Sequence, residues 1–297
     1  MSEYQTPYTV TLSPCIDLHL ALPSLAVGHE SEAVLVGRFA GGKGINVSAA
    51  LDSYGVENRC LCLLGKTGAA DFLSLPRLPK GFVRFYVDGS IRENITIHST
   101  EGETRVSLPG EIDASSAEKA CDELFFAVPS GNRFVAFCGS VPRALSEDYI
   151  IDRLHILKKR GALLLCDSRS LSAAALREIY PECIKPNEFE YAALCADGAA
   201  TALARQVLLT CGEKEGAFLS ENGRLRLIPP PISPISTVGA GDSTLAGFIA
   251  GRMRGLSERE CLRLALAFGS AACLTEGTTP PEKETIDALY EQSVVLP

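Results

Sequence analysis

The chain predicts an α/β fold, a mostly parallel sheet covered by helices on both faces. Two observations carry that expectation. From about residue 59 onward, short apolar runs alternate with segments of helical periodicity, the pattern of successive parallel strands joined by helices. Two glycine-rich turns, at residues 39–47 and 237–243, each open directly onto an amphipathic helix. At 297 residues and 46% hydrophobic content, the chain is long enough to bury a large core, and it reads as one domain over residues 1–297.

The elements follow from periodicity and punctuation. Ala33 to Phe39 shows the period-two alternation of a half-buried strand. After the turn Phe39-Ala40-Gly41-Gly42-Lys43-Gly44-Ile45-Asn46-Val47, positions Val47, Leu51 and Tyr54 line one helix face, and Gly55 stands where a C-terminal cap is expected. Buried-looking strands are expected at Cys60 to Leu64, Phe134 to Cys138, Leu163 to Asp167, Cys183 to Lys185 and Val207 to Thr210. Phe82 to Leu108 alternates again, through Val83, Phe85, Val87, then Ile95, Ile97, then Thr104, Val106, Leu108, with turns at Gly89 and Gly102. Those strands fit either a separate small sheet or the edge of the main one.

Leu145, Tyr149, Leu154 and Leu157 predict a helix ending before Gly161, and Phe189 to Leu194 a short helix capped by Asn187. Leu245, Phe248, Ile249 and Met253 form the apolar stripe of the helix after Asp242. Ser257 followed by Glu260 is a capping box for a helix through Leu262, Leu266 and Ala272. In open sheets of this kind, ligands bind beyond the carboxyl ends of the strands.

Composition excludes several classes. A net charge of −8 argues against a nucleic-acid partner, whose affinity comes largely from Lys and Arg neutralising phosphates. The N-terminus lacks a basic region followed by an apolar core, and no apolar run approaches the length of a membrane span, so a cytoplasmic location is expected. Eleven cysteines, many within apolar runs such as Cys60, Cys62, Cys138, Cys166 and Cys273, read as buried free thiols in a reducing compartment. The four histidines lack zinc spacing, so no structural metal is expected.

The chemistry sits in the two glycine turns. In Thr237-Val238-Gly239-Ala240-Gly241-Asp242-Ser243, glycines permit close backbone approach, and the first amides of the following helix have no helical partner. Such a helix start binds anions, phosphate above all. A carboxylate beside bound phosphate, Asp242, is repelled unless it takes a proton from an attacking hydroxyl; ordinary helix entry with a capping aspartate is the other reading. In the first turn Lys43 and Asn46 offer a charge and an amide to a polyhydroxylated or phosphorylated ligand. Its lysine is not followed by Ser or Thr, so it is not a Walker P-loop.

The paired turns, about two hundred residues apart, resemble the signatures of the ribokinase-like (PfkB) family of carbohydrate kinases. Further segments agree along nearly the whole chain: Thr9-Val10-Thr11-Leu12-Ser13-Pro14-Cys15-Ile16-Asp17, Cys138-Gly139-Ser140-Val141-Pro142, Ile184-Lys185-Pro186-Asn187-Glu188-Phe189-Glu190, and Thr210-Cys211-Gly212-Glu213-Lys214-Glu215-Gly216-Ala217. The resemblance implies a three-layer α/β/α sandwich with a small β-lid from segments near 8–18, 29–40 and 82–110, a lid that often pairs two subunits into a homodimer.

The resemblance also implies ATP and Mg2+ as cofactors and a set of roles. Asp242 is the expected general base, with the amides of Gly239, Ala240, Gly241 and Asp242 stabilising the moving phosphoryl group. Asp17, Gly41, Gly42, Lys43, Asn46, Arg92, Asn94 and Ser140 are expected at the sugar. Lys185, Asn187, Glu190, Thr210, Gly212, Gly216 and Gly269 are expected at the nucleotide, with Asn187 and Glu190 reaching the metal through water. The adenine is expected between the Gly212 region and the last helix near Phe268 to Ala272.

The opening strand and the Gly-Gly-Lys-Gly-Ile-Asn-Val turn look like the branch that phosphorylates sugar phosphates, 1-phosphofructokinase and tagatose-6-phosphate kinase. Arg38, Lys43, Arg92 and Arg105 are then the candidate cations for a substrate phosphate. Ser13 stands where the family usually has Asn, and Thr96 where this branch has Lys. A kinase of an unphosphorylated sugar or nucleoside and a non-catalytic sensor remain as alternatives, although a sensor has no need of Asp242.

Overall fold

The computed structural model describes residues 4–196, 198 and 200–297. In chain order the first half contains β1 (Gln5–Thr11), β2 (Cys15–Ala21), β3 (Val34–Gly41), α1 (Lys43–Ser53), β4 (Arg59–Thr67), α2 (Ala69–Ser74), β5 (Phe82–Ser90), β6 (Arg92–Ser99), β7 (Gly102–Leu108) and α3 (Ala114–Phe126). There follow β8 (Arg133–Cys138), α4 (Glu147–Lys159), β9 (Ala162–Asp167), α5 (Ala173–Ile179), β10 (Cys183–Ile184), α6 (Glu188–Leu194) and β11 (Gln206–Leu209). The chain closes with β12 (Gly216–Ser220), β13 (Gly223–Ile228), α7 (Ala240–Met253), α8 (Glu258–Ala272), α9 (Lys283–Tyr290) and β14 (Val294–Leu296).

A 10-stranded sheet runs in the order β14-β13-β12-β11-β10-β9-β8-β1-β4-β5. Strands β5 through β11 in that order pair in parallel, and β12, β13 and β14 continue one edge antiparallel. The central strands are buried on both faces and are mostly apolar, with Thr9, Thr11, Arg133 and Asp167 the buried polar exceptions in β1, β8 and β9. In β8, Phe134, Ala136 and Cys138 join one core while Val135 and Phe137 join the other, as period-two alternation requires. Leu124, Leu154 and Leu176 of α3, α4 and α5 cover the second face; Leu51, Phe248, Phe268 and Ile286 of α1, α7, α8 and α9 cover the first. Burying each such Phe contributes about 2–3 kcal/mol, so the two helical layers are held chiefly by apolar area.

Caps mark the helices where the sequence places them. Asn187 and Glu190 form a capping box on α6, and Ser257 and Glu260 on α8. Gly55 closes α1 with φ 79, a left-handed conformation that glycine adopts without strain.

The protein also contains a smaller 4-stranded sheet in the order β3-β2-β6-β7. Here the structure corrects two expected boundaries. Phe82–Ser90 is no part of this sheet: β5 pairs in parallel with β4 from Cys60↔Phe82 to Gly65↔Val87, and Val87 is buried in the main core. Residues 8–11 likewise belong to β1, inside the large sheet between β8 and β4, and only from Cys15 onward does the chain enter the small one. Alternation reports which residues face a core; it carries nothing about which sheet a strand joins. β12 and β13 form a hairpin through the two-residue turn Glu221-Asn222, with Ser220 paired to Gly223 across it.

Candidate active site

The loops after β8, β9 and β10 emerge side by side, because Cys138 pairs with Asp167 and Cys166 with Ile184. Against this rim α1 and α7 present their first turns. Gly239, the N-cap of α7, has φ 80, and the first helical bond runs from Ser243 N to Gly239 O. The amides of Gly241 and Asp242 lie ahead of it, at the positive end of the helix.

Five charged or amide side chains converge there. Asn46, in the first turn of α1, donates to Asp242 Oδ2 at 2.7 Å. Lys43, the first residue of α1, donates to Asp167 Oδ1 at 2.6 Å. Lys185 lies 3.1 Å from Asp167 Oδ2. The Lys185 ammonium also borders the start of α7, since a Cβ built on Gly241 would stand 3.0 Å from its Nζ. Two cations and a helix N-terminus thus surround one small volume, a site built for an anion.

The two carboxyls are shifted in opposite directions. Burial opposes ionisation of Asp167, yet Lys185 and Lys43 outweigh it and hold its carboxyl below the ordinary range. Burial and the neighbouring Asp167 charge raise Asp242 to about 6, with Lys43 and Asn46 opposing the shift. Burial alone would lower Lys43, and the Asp167 and Asp242 charges reverse it, so Lys43 is raised and stays cationic. A carboxylate poised near neutrality is suited to accept a proton from an alcohol.

On the other side of α1, Asp17 of β2 accepts from Asn94 Nδ2 of β6 at 2.9 Å, and its carboxylate lies over Gly41. A Cβ on Gly41 would fall 2.1 Å from Asp17 Oδ2, so only glycine fits there. The segment 41–46 therefore runs from the Asp17 carboxylate to Asn46 and so to Asp242. Gly139, with φ 85, lies against α1, since a Cβ built on it would stand 3.7 Å from the Lys43 Cβ, and Ser140 follows it in the turn after β8.

A cavity of about 420 Å³ adjoins the charged cluster, lined by Asp167, Lys185, Asn187, Glu190, Leu171 and Phe189 among others. Thr210 borders it, bonded through its amide to Pro186 O at 3.1 Å, and Gly212 turns with φ 64 just beyond. Gly216 packs on Leu209 O. At Gly269 the visible role is packing, because a Cβ there would meet Thr244 Oγ1 of α7 at 2.3 Å. A larger hollow of about 690 Å³ opens at the opposite rim, but its Arg205 is within 3.9 Å of both Glu182 and Glu221 and it holds none of this chemistry.

Two of the candidate cations point elsewhere. Arg38 is engaged by both oxygens of Asp71 on α2, and Arg105 is exposed and 3.7 Å from Glu103. Arg92 stays at the sugar side, its Nη2 3.6 Å from Cys15 Sγ. Asp167 is the residue that sequence reasoning missed: its one local signal is an acid ending the apolar run Leu163 to Cys166.

Comparison with known proteins now decides the family. The pfkB family carbohydrate kinase profile matches residues 11–285. The chain belongs to the PfkB family of carbohydrate kinases. It is 30% identical to 1-phosphofructokinase of Haemophilus influenzae over 96% of both chains. It is 26% identical to tagatose-6-phosphate kinase of Staphylococcus epidermidis, over 97% of this chain and 98% of that one. The structure of phosphofructokinase-2 from Escherichia coli in complex with substrates and products superposes with a TM-score of 0.85 at 23% identity, covering 97% of this chain and 99% of that one. As a PfkB kinase the protein is a phosphotransferase acting on a sugar hydroxyl. Among the described residues, no helix of this kinase is long and apolar enough to cross a membrane.

Proposed function

We propose that this PfkB kinase transfers the γ-phosphoryl of ATP to a hydroxyl of a phosphorylated ketohexose, of the fructose 1-phosphate or tagatose 6-phosphate type, with Asp242 as general base. The observation that carries the reading is the Asp242 carboxyl: raised to about 6, bonded to Asn46, and set at the amide end of α7. Phosphoryl transfer needs in-line positioning and charge neutralisation more than covalent chemistry. Asp17 and Asn94 orient the sugar hydroxyls over Gly41, Asn46 holds Asp242, and Asp242 takes the proton of the attacking hydroxyl. The amides of Gly239 to Asp242, with Lys43 and Lys185, offset the charge that gathers on the moving group.

The oxygen donors facing the cavity, Asp167, Glu190 and Asn187, suit a hard cation. In this reading magnesium arrives with the triphosphate, and Asn187 and Glu190 reach it through water. Bound there, magnesium would supply positive charge to the transferring group, with Asp167, Asn187 and Glu190 the residues facing it.

The names of the relatives support a phosphorylated substrate, and Arg92 is the cation best placed for its phosphate. Thr96 favours a second reading. Buried between His19 and Arg105, it offers no charge, as a kinase of a free sugar would allow. Turnover measured with ATP and magnesium on fructose 1-phosphate, tagatose 6-phosphate and fructose 6-phosphate, against fructose, tagatose and ribose, separates the two. Efficient turnover confined to the free sugars sinks the first reading.

The small sheet is proposed to act as a lid over the sugar, excluding water from the transfer. Its exposed Val34, Leu35 and Val36 on β3 and Val106 and Leu108 on β7 are proposed to pair two copies of the chain. Buried free thiols and the family's chemistry fit a cytoplasmic enzyme.

A further inference from the structure

We infer that Cys15 is a positioning residue of the sugar site, its thiol orienting Asp17, Asn94 and Arg92 together. The inference rests on the proposed action on a phosphorylated sugar, and it assigns the side chain that holds that site in shape.

Cys15 opens β2 and sits in register with Gly41 on one side and Arg92 on the other. Asp17, two residues on, faces the same way and is in register with Asn94. All three polar neighbours touch the sulfur. The S–H donates to Asp17 Oδ1 at 3.3 Å, while the sulfur accepts from Asn94 Nδ2 at 3.2 Å and Arg92 Nη2 at 3.6 Å. One donor and one soft acceptor satisfy an acid, an amide and a guanidinium at once, which suits the donor and acceptor capacity of a thiol.

The sulfur has little freedom to do otherwise. A Cβ on Gly41 would lie 2.7 Å from Cys15 Sγ, so the strand backbone of β3 walls it in. It is 2% exposed, which assigns it orientation rather than reactivity. Burial, then the Asp17 charge, pushes its thiol up to about 12, so the proton that bonds Asp17 is retained across the working range.

A second observation points to the ligand. Arg92 Nε is buried without a hydrogen-bond partner, whereas buried donors are nearly always satisfied. With Nη2 held on Cys15 Sγ and Nε unbonded, the guanidinium has donor capacity that the protein itself leaves unused beside Asp17 and Asn94. Cys15 thus fixes the azimuth of the group that reads the phosphate and of the acid that reads the hydroxyls.

The test compares Cys15→Ala and Cys15→Ser with the wild type, using the phosphorylated ketohexose that the wild type turns over best, and ATP. Cys15→Ala is expected to raise the KM for the sugar phosphate about three- to tenfold, the loss of a weak hydrogen-bonded anchor, with the KM for ATP unchanged. Cys15→Ser, which keeps a donor and an acceptor, is expected to restore most of it. If Cys15→Ala does not fold, Cys15→Val fills the space without a polar hydrogen and takes its place in the comparison. Equal changes in both KM values, no change in either, or an apolar variant matching Cys15→Ser would overturn the role. A wild type inert toward every phosphorylated ketohexose defeats the proposed substrate class and this inference with it; an active wild type whose variants show no split defeats the inference alone.

Discussion

Asn46 and Asp242 meet in a 2.7 Å hydrogen bond across 196 residues of chain. The contact joins the first turn of α1 to the first turn of α7, so the two glycine-rich turns form one site. Because the Asn46 amide donates, it favours the charged form of Asp242 and partly opposes the effects of burial and of Asp167. The balance leaves a carboxylate ionised at neutral pH yet more basic than an ordinary one, as the proposed general-base role requires.

Asp242→Asn removes the base while keeping the shape and the Asn46 contact. Turnover is expected to fall about 10³-fold, within the usual contribution of a general base, with ATP affinity little changed. Steady-state kinetics and ATP titration check this, and near-normal turnover would refute the assignment.

The pH dependence follows from the same carboxyl. Its folded value of about 6 lies above the ordinary 3.8, so protonation removes the base as the pH falls through about 6. The rate should then drop about tenfold per pH unit. The sign for stability is the opposite of a salt-bridged acid. Ionising Asp242 costs the folded state free energy above pH 6, the cost shrinks between 6 and 3.8, and below both values it is absent. Asp242→Asn should therefore melt higher than wild type at pH 8 and level with it near pH 3.5, as calorimetry can measure.

Asp167→Asn leaves Lys43 and Lys185 beside each other without their shared counter-charge. Removing one partner of a buried ion cluster destabilises by about 3 kcal/mol, readable in urea unfolding. It also removes a charge that raises Asp242, so the acid limb of the rate profile should move to lower pH. An unmoved limb would show that Asp167 does not act on Asp242.

Val36→Asp places a charge on the exposed apolar edge of the small sheet. If that surface pairs two copies, the variant should sediment as a monomer at concentrations where wild type is a dimer. A monomeric wild type discards the pairing.

Much of the fold is legible residue by residue. The apolar runs at Phe134 to Cys138 and Leu163 to Asp167 became β8 and β9, and the caps at Asn187 and Ser257 start α6 and α8. Local backbone preference and alternating burial decide such elements without help from distant chain. The placement of Phe82–Ser90 was not legible, because its alternation suits either sheet and only pairing with β4 distinguishes them.

Of the proposed site, Asp242, Asn46 and Lys43 were picked out by glycine turns that have a local physical reason, and Asp17 only by the family resemblance. Asp167 and Cys15 were not, since an acid at a strand end and a thiol beside a proline gain meaning only from neighbours far away in sequence. The amino-acid order alone determined the layers, the helix starts and the two anion-seeking turns, because these depend on periodicity, capping and backbone freedom within a few residues. Tertiary structure alone decided that Lys43 and Lys185 share Asp167, that Arg38 turns to Asp71, and that Asp242 sits raised beside them. Charge state and donor satisfaction depend on groups brought within a few ångströms by folding, and no local pattern records that distance.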